Sequence, residues 1–212
     1  MRRVRSIRPP GDRRGATSAR VRPGARAASI AGVRRVSVIG PAGAGKSTLA
    51  RWLARLLDCP WAELDGVCHQ AGWTRLDPAE LARCVAVVAA AEDWVIDGNY
   101  SATSAVVWPR ADTVIWLDLP RQTIMRRVIW RTIRRVAGRT ELWNGNRERW
   151  RNLLTWDPEE SVISRAWHKH PEFRELFTAA AADPANGHLR FIRLTSPAEV
   201  RQFMRDVEMG SA

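Results

Sequence analysis

One stretch constrains this chain more than any other. Residues 40–48 read Gly40-Pro41-Ala42-Gly43-Ala44-Gly45-Lys46-Ser47-Thr48. Arg35 to Ile39, just before it, alternates as a short β-branched strand. Leu49, Trp52, Leu53, Leu56 and Leu57, just after it, recur at the spacing of one buried helical face. Strand, glycine-rich turn and helix in that order are the setting in which Gly-x4-Gly-Lys-Ser/Thr holds a polyphosphate. Main-chain N–H groups converge there on the anion at a helix N-terminus, and glycine allows both the dihedrals and the close approach. Lys46 offers a point charge to the β- and γ-phosphates, and the Ser47 hydroxyl suits Mg²⁺. With only two Lys in the chain, chance would produce the pattern in roughly one such sequence per thousand. A nucleoside triphosphate, ATP or GTP, is therefore the expected ligand of residues 40–48.

Composition narrows the class. At 212 residues the chain is long enough for one α/β domain. A hydrophobic fraction of 45% and 11 Trp exclude disorder throughout. The longest apolar run, Val85 to Ala91, is far short of the roughly 18–20 residues of a membrane span, so no membrane partner is expected. The net charge of +12 is uneven: residues 1–32 hold nine Arg and one acid, Asp12, leaving +4 for the rest. That segment lacks large apolar residues and reads as a disordered basic extension. A nucleic-acid-binding arm, a transit peptide and a start assigned too far upstream of Val33 all fit it, the last being preferred. Nucleic acid is expected as a partner only through this tail. Cys59, Cys68 and Cys84 show neither pairing nor metal-ligand spacing, which points to a reducing, cytoplasmic setting.

Further elements follow from periodicity and punctuation. Trp61 to Leu64 reads as a second strand ending at an Asp65-Gly66 turn, Trp94 to Ile96 as a third ending at Asp97-Gly98, and Thr113 to Leu117 as a fourth. The near-continuous apolar run of the fourth suits a strand covered on both faces. Leu189 to Leu194 reads as a fifth. Helices are expected from Pro78 to about Ala91, from Pro120 to about Val136, from about Pro158 to Ala181 with a break before Pro171, and from Pro197 onward. Residues 138–152, rich in Arg, Asn and Trp, read as a lid. Alternating strands and helices imply a three-layer α/β domain over residues 33–212, with five parallel strands and helices on both faces. Ligands of such sheets sit at the carboxyl ends of the strands, where Asp65 and Asp97 fall.

The glycine-rich loop together with Asp97-Gly98 resembles the adenylate-kinase-like, or nucleoside monophosphate kinase-type, branch of P-loop kinases. It is similar in more detail to bacterial topology-modulation-protein-like P-loop NTPases. The residues carrying that likeness are Leu64-Asp65-Gly66, Gly72-Trp73, Asp97-Gly98-Asn99-Tyr100 and the run Ala111 to Pro120. The resemblance implies a Mg²⁺-dependent kinase with the P-loop NTPase fold, in which Asp97 organises the metal beside Ser47. It also implies that arginines of the helix leading into the lid, Arg131 and Arg135 and then Arg139, stabilise charge on the transferring phosphoryl group. Adenylate kinases carry an Arg four residues after the strand-end Asp to grip the acceptor phosphate. Ser101 stands there in this chain, so an AMP acceptor is not carried over.

Beside these stand plainer readings. Asp65 is expected to accept a proton or hydrogen bond from a substrate hydroxyl, and Asn99 and Tyr100 to face the acceptor. Asp118 is expected to cap the helix after Pro120. His168 and His170, two residues apart, have no companion ligand and are not assigned a metal. Trp143, Trp150 and Trp156 are read as lid and core packing. The expected activity is transfer of the ATP γ-phosphoryl group to a small-molecule acceptor. The alternative is a nucleotide-responsive regulatory or nucleic-acid-binding NTPase with no dedicated acceptor.

Overall fold

A computed structural model describes residues 33–148, 150, 155, 157 and 161–209. The expectations for residues 1–32, for Arg149, Arg151 and Asn152 in the lid, for Trp156 and for the helix start at Pro158 lie outside these residues. Five strands form one parallel sheet: β1 (Arg35–Ile39), β2 (Trp61–Glu63), β3 (Trp94–Asp97), β4 (Thr113–Leu117) and β5 (Arg190–Leu194), in the order β2-β3-β1-β4-β5. The helices are α1 (Lys46–Leu56), α2 (Leu64–Cys68), α3 (Pro78–Ala89), α4 (Ser101–Val107), α5 (Arg121–Ala137), α6 (Val162–Ala182) and α7 (Pro197–Met209).

The strands are apolar on both faces because helices cover both. Val36, Val38, Val95, Ile115 and Leu117 point to one side and meet Leu49, Ala50, Leu53 and Ala54 of α1, with Phe203 and Met204 of α7 alongside. Ile39, Ile96, Val114 and Trp116 point to the other and meet Leu81, Val85 and Val88 of α3 and Phe177 of α6. This two-residue alternation is what a strand buried on both faces requires. Burying each large aliphatic side chain contributes about 1.5–3 kcal/mol, so both layers are held strongly to the sheet. A smaller cluster, Leu119, Ile124, Val128, Ile163 and Ala166, seats α5 against α6.

Register decides where the polar strand ends meet. Glu63 of β2 lies opposite Asp97 of β3, and Asp97 lies opposite Val38 of β1, two residues before Gly40. The acids that end β2 and β3 therefore stand beside the loop that follows β1.

Four local expectations need correction. Asp65 and Gly66 form no turn but lie inside the short helix α2. Helix α4 was not anticipated: its Ser, Thr and Val are poor helix formers, and it is held by packing Thr103 and Val107 inward against α3. Helix α6 runs unbroken through Pro171, since tertiary packing of Ile163, Ala166 and Phe177 outweighs the lost N–H. Asp118 does not cap α5, whose N-cap is Pro120 with no side-chain bond. Only 4% exposed, its carboxylate instead accepts hydrogen bonds from Arg174 and Arg193. A buried carboxylate needs such partners more than an exposed helix end needs a cap.

Candidate active site

Helix α1 begins without a capping side chain. Its N-cap is Gly45, in the left-handed region at φ 102°, and no side-chain oxygen meets the first-turn amides. Most helices supply such an oxygen from Ser, Thr, Asp or Asn. Here the donors stay available at the positive end of the helix dipole. The loop reaches this shape because Gly43 has φ +83° and because a Cβ on it would come within 2.4 Å of Val128 Cγ2. Helix α5 thus presses directly on the loop, and Arg127 adds a hydrogen bond from Nη1 to the carbonyl of Ala44 at 3.1 Å. Pro41 and Ala44 are buried, Ala42 packs against the cluster under α5, and Thr48 is exposed. Lys46 Nζ donates to the carbonyl of Pro41 at 3.3 Å, a weak tether that a phosphate oxygen can replace.

Three carboxylates stand beside this loop. Asp97 is 2% exposed, and its Oδ2 has no hydrogen-bond partner. Burial drives its carboxyl up to about 7, with the nearby Lys46 working against that and Glu63 reinforcing it. A buried acid with an unmet oxygen costs free energy unless something supplies positive charge. Glu63 accepts the Ser47 hydroxyl at 2.9 Å and, through its other oxygen, the Trp143 indole N–H at 3.1 Å. Asp65 accepts the Tyr100 hydroxyl at 2.7 Å. Burial first, and then the adjacent Asp65 charge, raise the Tyr100 phenol further, so it serves only as a donor.

The set fits a magnesium ion. Hydroxyl and carboxylate oxygens are the hard donors Mg²⁺ takes, and in phosphate sites it needs only one or two from protein, with water and phosphate completing the shell. Among the described residues no group of three or more His, Cys, Asp or Glu converges into an all-protein metal cage. The Ser47 hydroxyl and the unmet Oδ2 of Asp97 are a pair of the phosphate-dependent kind.

Other expected residues separate. Arg131 is half-buried, its Nε has no partner, and its guanidinium is lowered chiefly by burial and next by Arg135. The charges opposing that shift are Glu148, Asp65 and Glu63, which places Arg131 among the site's acids. Arg135 instead pairs with Glu148 at 3.0 Å, and Arg139 lies exposed in the turn after α5. The Asn99 side chain forms a reciprocal pair with the N–H and C=O of Gly40, tying β3's exit to the loop. Sequence reading gave no role to Glu63 and foresaw none of the contacts of Trp143. Arg127, Arg131 and Arg135, four apart, share one face of α5.

The segment around Trp143 is docked on the acid side. Trp143 stacks on His69 with ring centroids 5.9 Å apart and occupies the space a Cβ on Gly66 would need, 2.8 Å from its Cδ1. Asn144 Nδ2 donates to the carbonyl of His69 at 2.6 Å, and Asn146 Nδ2 to that of Gln70 at 2.8 Å. Trp73 N–H donates back to Asn146 Oδ1 at 2.9 Å. A groove of about 680 Å³ is lined by Asp118, Arg121, His170, Arg174, Arg193 and Thr195; His170 is fixed by the Leu119 carbonyl.

The parallel order β2-β3-β1-β4-β5 and the uncapped glycine-rich loop between β1 and α1 define an α/β P-loop NTPase fold. Comparison with protein-family models finds no match, and comparison with curated proteins finds none either. Among solved structures, the chain is similar to a shikimate kinase from Acinetobacter baumannii, with 15% identity over 83% of this chain and 91% of that one and a TM-score of 0.48. It is similar to a gluconokinase from Sinorhizobium meliloti 1021 at 13% identity, 84% and 91% coverage and a TM-score of 0.46. A sugar kinase from Janibacter sp. HTCC2649 gives 17%, 84% and 96%, and 0.43. Likenesses at this level leave the substrate to be read from the site itself. No helix among the described residues is long and apolar enough to cross a membrane.

Proposed function

We propose that this chain is a small-molecule kinase that moves the γ-phosphoryl group of ATP to a hydroxyl of a small acceptor, with Mg²⁺. The observation that carries the reading is the meeting, at the carboxyl ends of the sheet's strands, of an uncapped helix with Lys46 and a set of acids, one of them a buried Asp97 with an unmet oxygen. The first supports binding of a polyphosphate and the second supports a metal-assisted transfer.

Each residue has a distinct part. The loop of residues 40–48 holds the triphosphate through its main-chain N–H groups, except at Pro41, which has none, and Gly40, whose N–H is held by Asn99, and Lys46 moves from the Pro41 carbonyl to the β- and γ-oxygens. Ser47 and Asp97 would hold Mg²⁺, which supplies charge neutralisation on the phosphates when bound. Asp65, oriented by the Tyr100 hydroxyl, takes the proton from the acceptor hydroxyl as its oxygen bonds to the γ-phosphorus and the bond from that phosphorus to the β–γ bridging oxygen breaks, releasing ADP. Arg131 stabilises the negative charge of the transferring group. Arg135 acts through its pairing with Glu148, and Arg139, exposed in the turn after α5, would add its charge to the substrate side. The docked lid excludes water, which would otherwise accept the phosphoryl group.

Acceptor chemistry follows from what stands near Asp65. Ser101, not an arginine, opens α4, and the neighbouring groups are Asp65, Glu63, Tyr100, His69 and Trp143, with Arg131, Arg75 and Arg165 near enough to act on them. The missing arginine favours a hydroxylated metabolite, neutral or anionic, over a nucleoside monophosphate, narrowing the adenylate-kinase-like reading. A screen of ATP consumption against sugars, polyols, hydroxy acids and nucleotides tests this. Stimulation by a hydroxylated compound is expected. Hydrolysis that no acceptor stimulates would reject the kinase and leave an NTPase.

A further inference from the structure

Glu63 has no part in the proton transfer, yet it joins two pieces of the site that are far apart in the chain: Ser47 on α1, 16 residues before it, and Trp143 in the lid, 80 residues after it. Its two carboxylate oxygens have different donors, the Ser47 hydroxyl at 2.9 Å and the Trp143 indole at 3.1 Å. A serine hydroxyl has one proton and two lone pairs. Giving the proton to Glu63 turns the lone pairs away from the carboxylate, which is the orientation a metal ligand needs. The carboxylate in turn is held in one plane only while both oxygens are occupied.

The docking of Trp143 is built rather than incidental. Gly66 leaves room for the indole, His69 stacks on it, and Asn144 and Asn146 clamp the lid turn to the carbonyls of His69 and Gln70. Outer-shell partners of metal ligands tune metal affinity by about 10–100-fold.

We infer that Glu63 is a positioning residue that reports lid docking to the metal-ligating hydroxyl, so that Mg²⁺ is held well only when Trp143 is seated. This rests on the kinase reading above, because it takes Ser47 as a metal ligand. The consequence is that an open lid leaves the triphosphate bound through the loop amides but with its metal poorly held, and hence unable to react.

The test is calorimetric titration of the full chain with ATP in the presence of Mg²⁺ and again in EDTA. The readout is the ratio of the two affinities. Glu63→Gln and Trp143→Phe should each lower that ratio about tenfold, while the affinity in EDTA stays unchanged. The double variant should be no worse than the more damaged single one, because both break the same chain of contacts. Asn144→Ala touches neither Glu63 nor Ser47; it removes an exposed lid clamp and places Ala in a left-handed backbone at φ 55°, both effects confined to the exposed turn, and it should lower the ratio in the same direction. Equal weakening with and without Mg²⁺, or an unchanged ratio in Asn144→Ala, would overturn the inference and leave the kinase reading intact. A wild-type chain that binds ATP with no Mg²⁺ dependence would overturn both.

Discussion

Replacing Asp97 with Asn should stabilise the ligand-free protein at alkaline pH while removing its metal-dependent activity. The carboxyl is driven from an ordinary 3.8 to about 7 by burial, a shift of roughly three units at about 1.4 kcal/mol each. The folded chain therefore binds this proton more tightly than the unfolded chain does. Stability from this group is complete below pH ~4 and is lost progressively as pH rises to ~7, so above 7 the fold bears about 4 kcal/mol for the ionised form. An amide bears no charge but leaves a buried donor to satisfy, at about 1–3 kcal/mol. Asp97→Asn should then be more stable than wild type by about 1–3 kcal/mol at pH 8, or roughly 3–10 °C in Tm for a chain of this length. At pH 5 wild type recovers about two of the three units, and the advantage should vanish or reverse. Thermal unfolding followed by circular dichroism, in EDTA at both pH values, reads this difference directly. A Tm difference identical at pH 5 and pH 8 would refute the reasoning.

Two further substitutions probe the geometry. Gly98→Ala should lower Tm by about 5–15 °C, because Gly98 has φ +140° and a Cβ there would lie 2.6 Å from Leu64 Cβ, costing about 2–5 kcal/mol in strain and overpacking; an unchanged melting curve would contradict it. Tyr100→Phe removes the hydrogen bond that orients Asp65, worth about 1.5 kcal/mol, and should lower kcat/KM for the acceptor about tenfold with ATP affinity unchanged. Steady-state kinetics with the acceptor from the screen would show this, and equal loss in both quantities would argue that Tyr100 only supports the fold.

How far the fold could be read from the chain depended on the kind of residue involved. Strands β1 and β4 were legible to the residue because β-branched runs bounded by Gly40 and Asp118 admit little else. Nothing in a strand itself names its neighbour; β3 lies beside β1 through contacts far apart in the chain. Helix α4 escaped because Ser101, Thr103 and Ser104 carry no helical signal and tertiary packing overrode their propensity. In the site, Gly40 to Ser47 could be read because backbone chemistry leaves a pattern in glycines. Glu63 could not, because a lone glutamate at a strand end looks like any solvated acid until register sets it opposite Asp97. Asn99 pointed the other way: placed beside the cleft by sequence, its amide is held by Gly40. The pairing of Asp118 with Arg174 and Arg193 was equally invisible, for it joins residues 56 and 75 positions apart.

The account depends on whether the amides and ammonium group at the start of α1 bind a triphosphate. Titrating the wild-type chain and Lys46→Ala with Mg·ATP and Mg·GTP in a calorimeter addresses that without any knowledge of the acceptor. Saturable binding of one triphosphate per wild-type chain, weakened at least tenfold in Lys46→Ala, is the predicted outcome. Absence of heat with either nucleotide, or equal affinity in the two proteins, would contradict it.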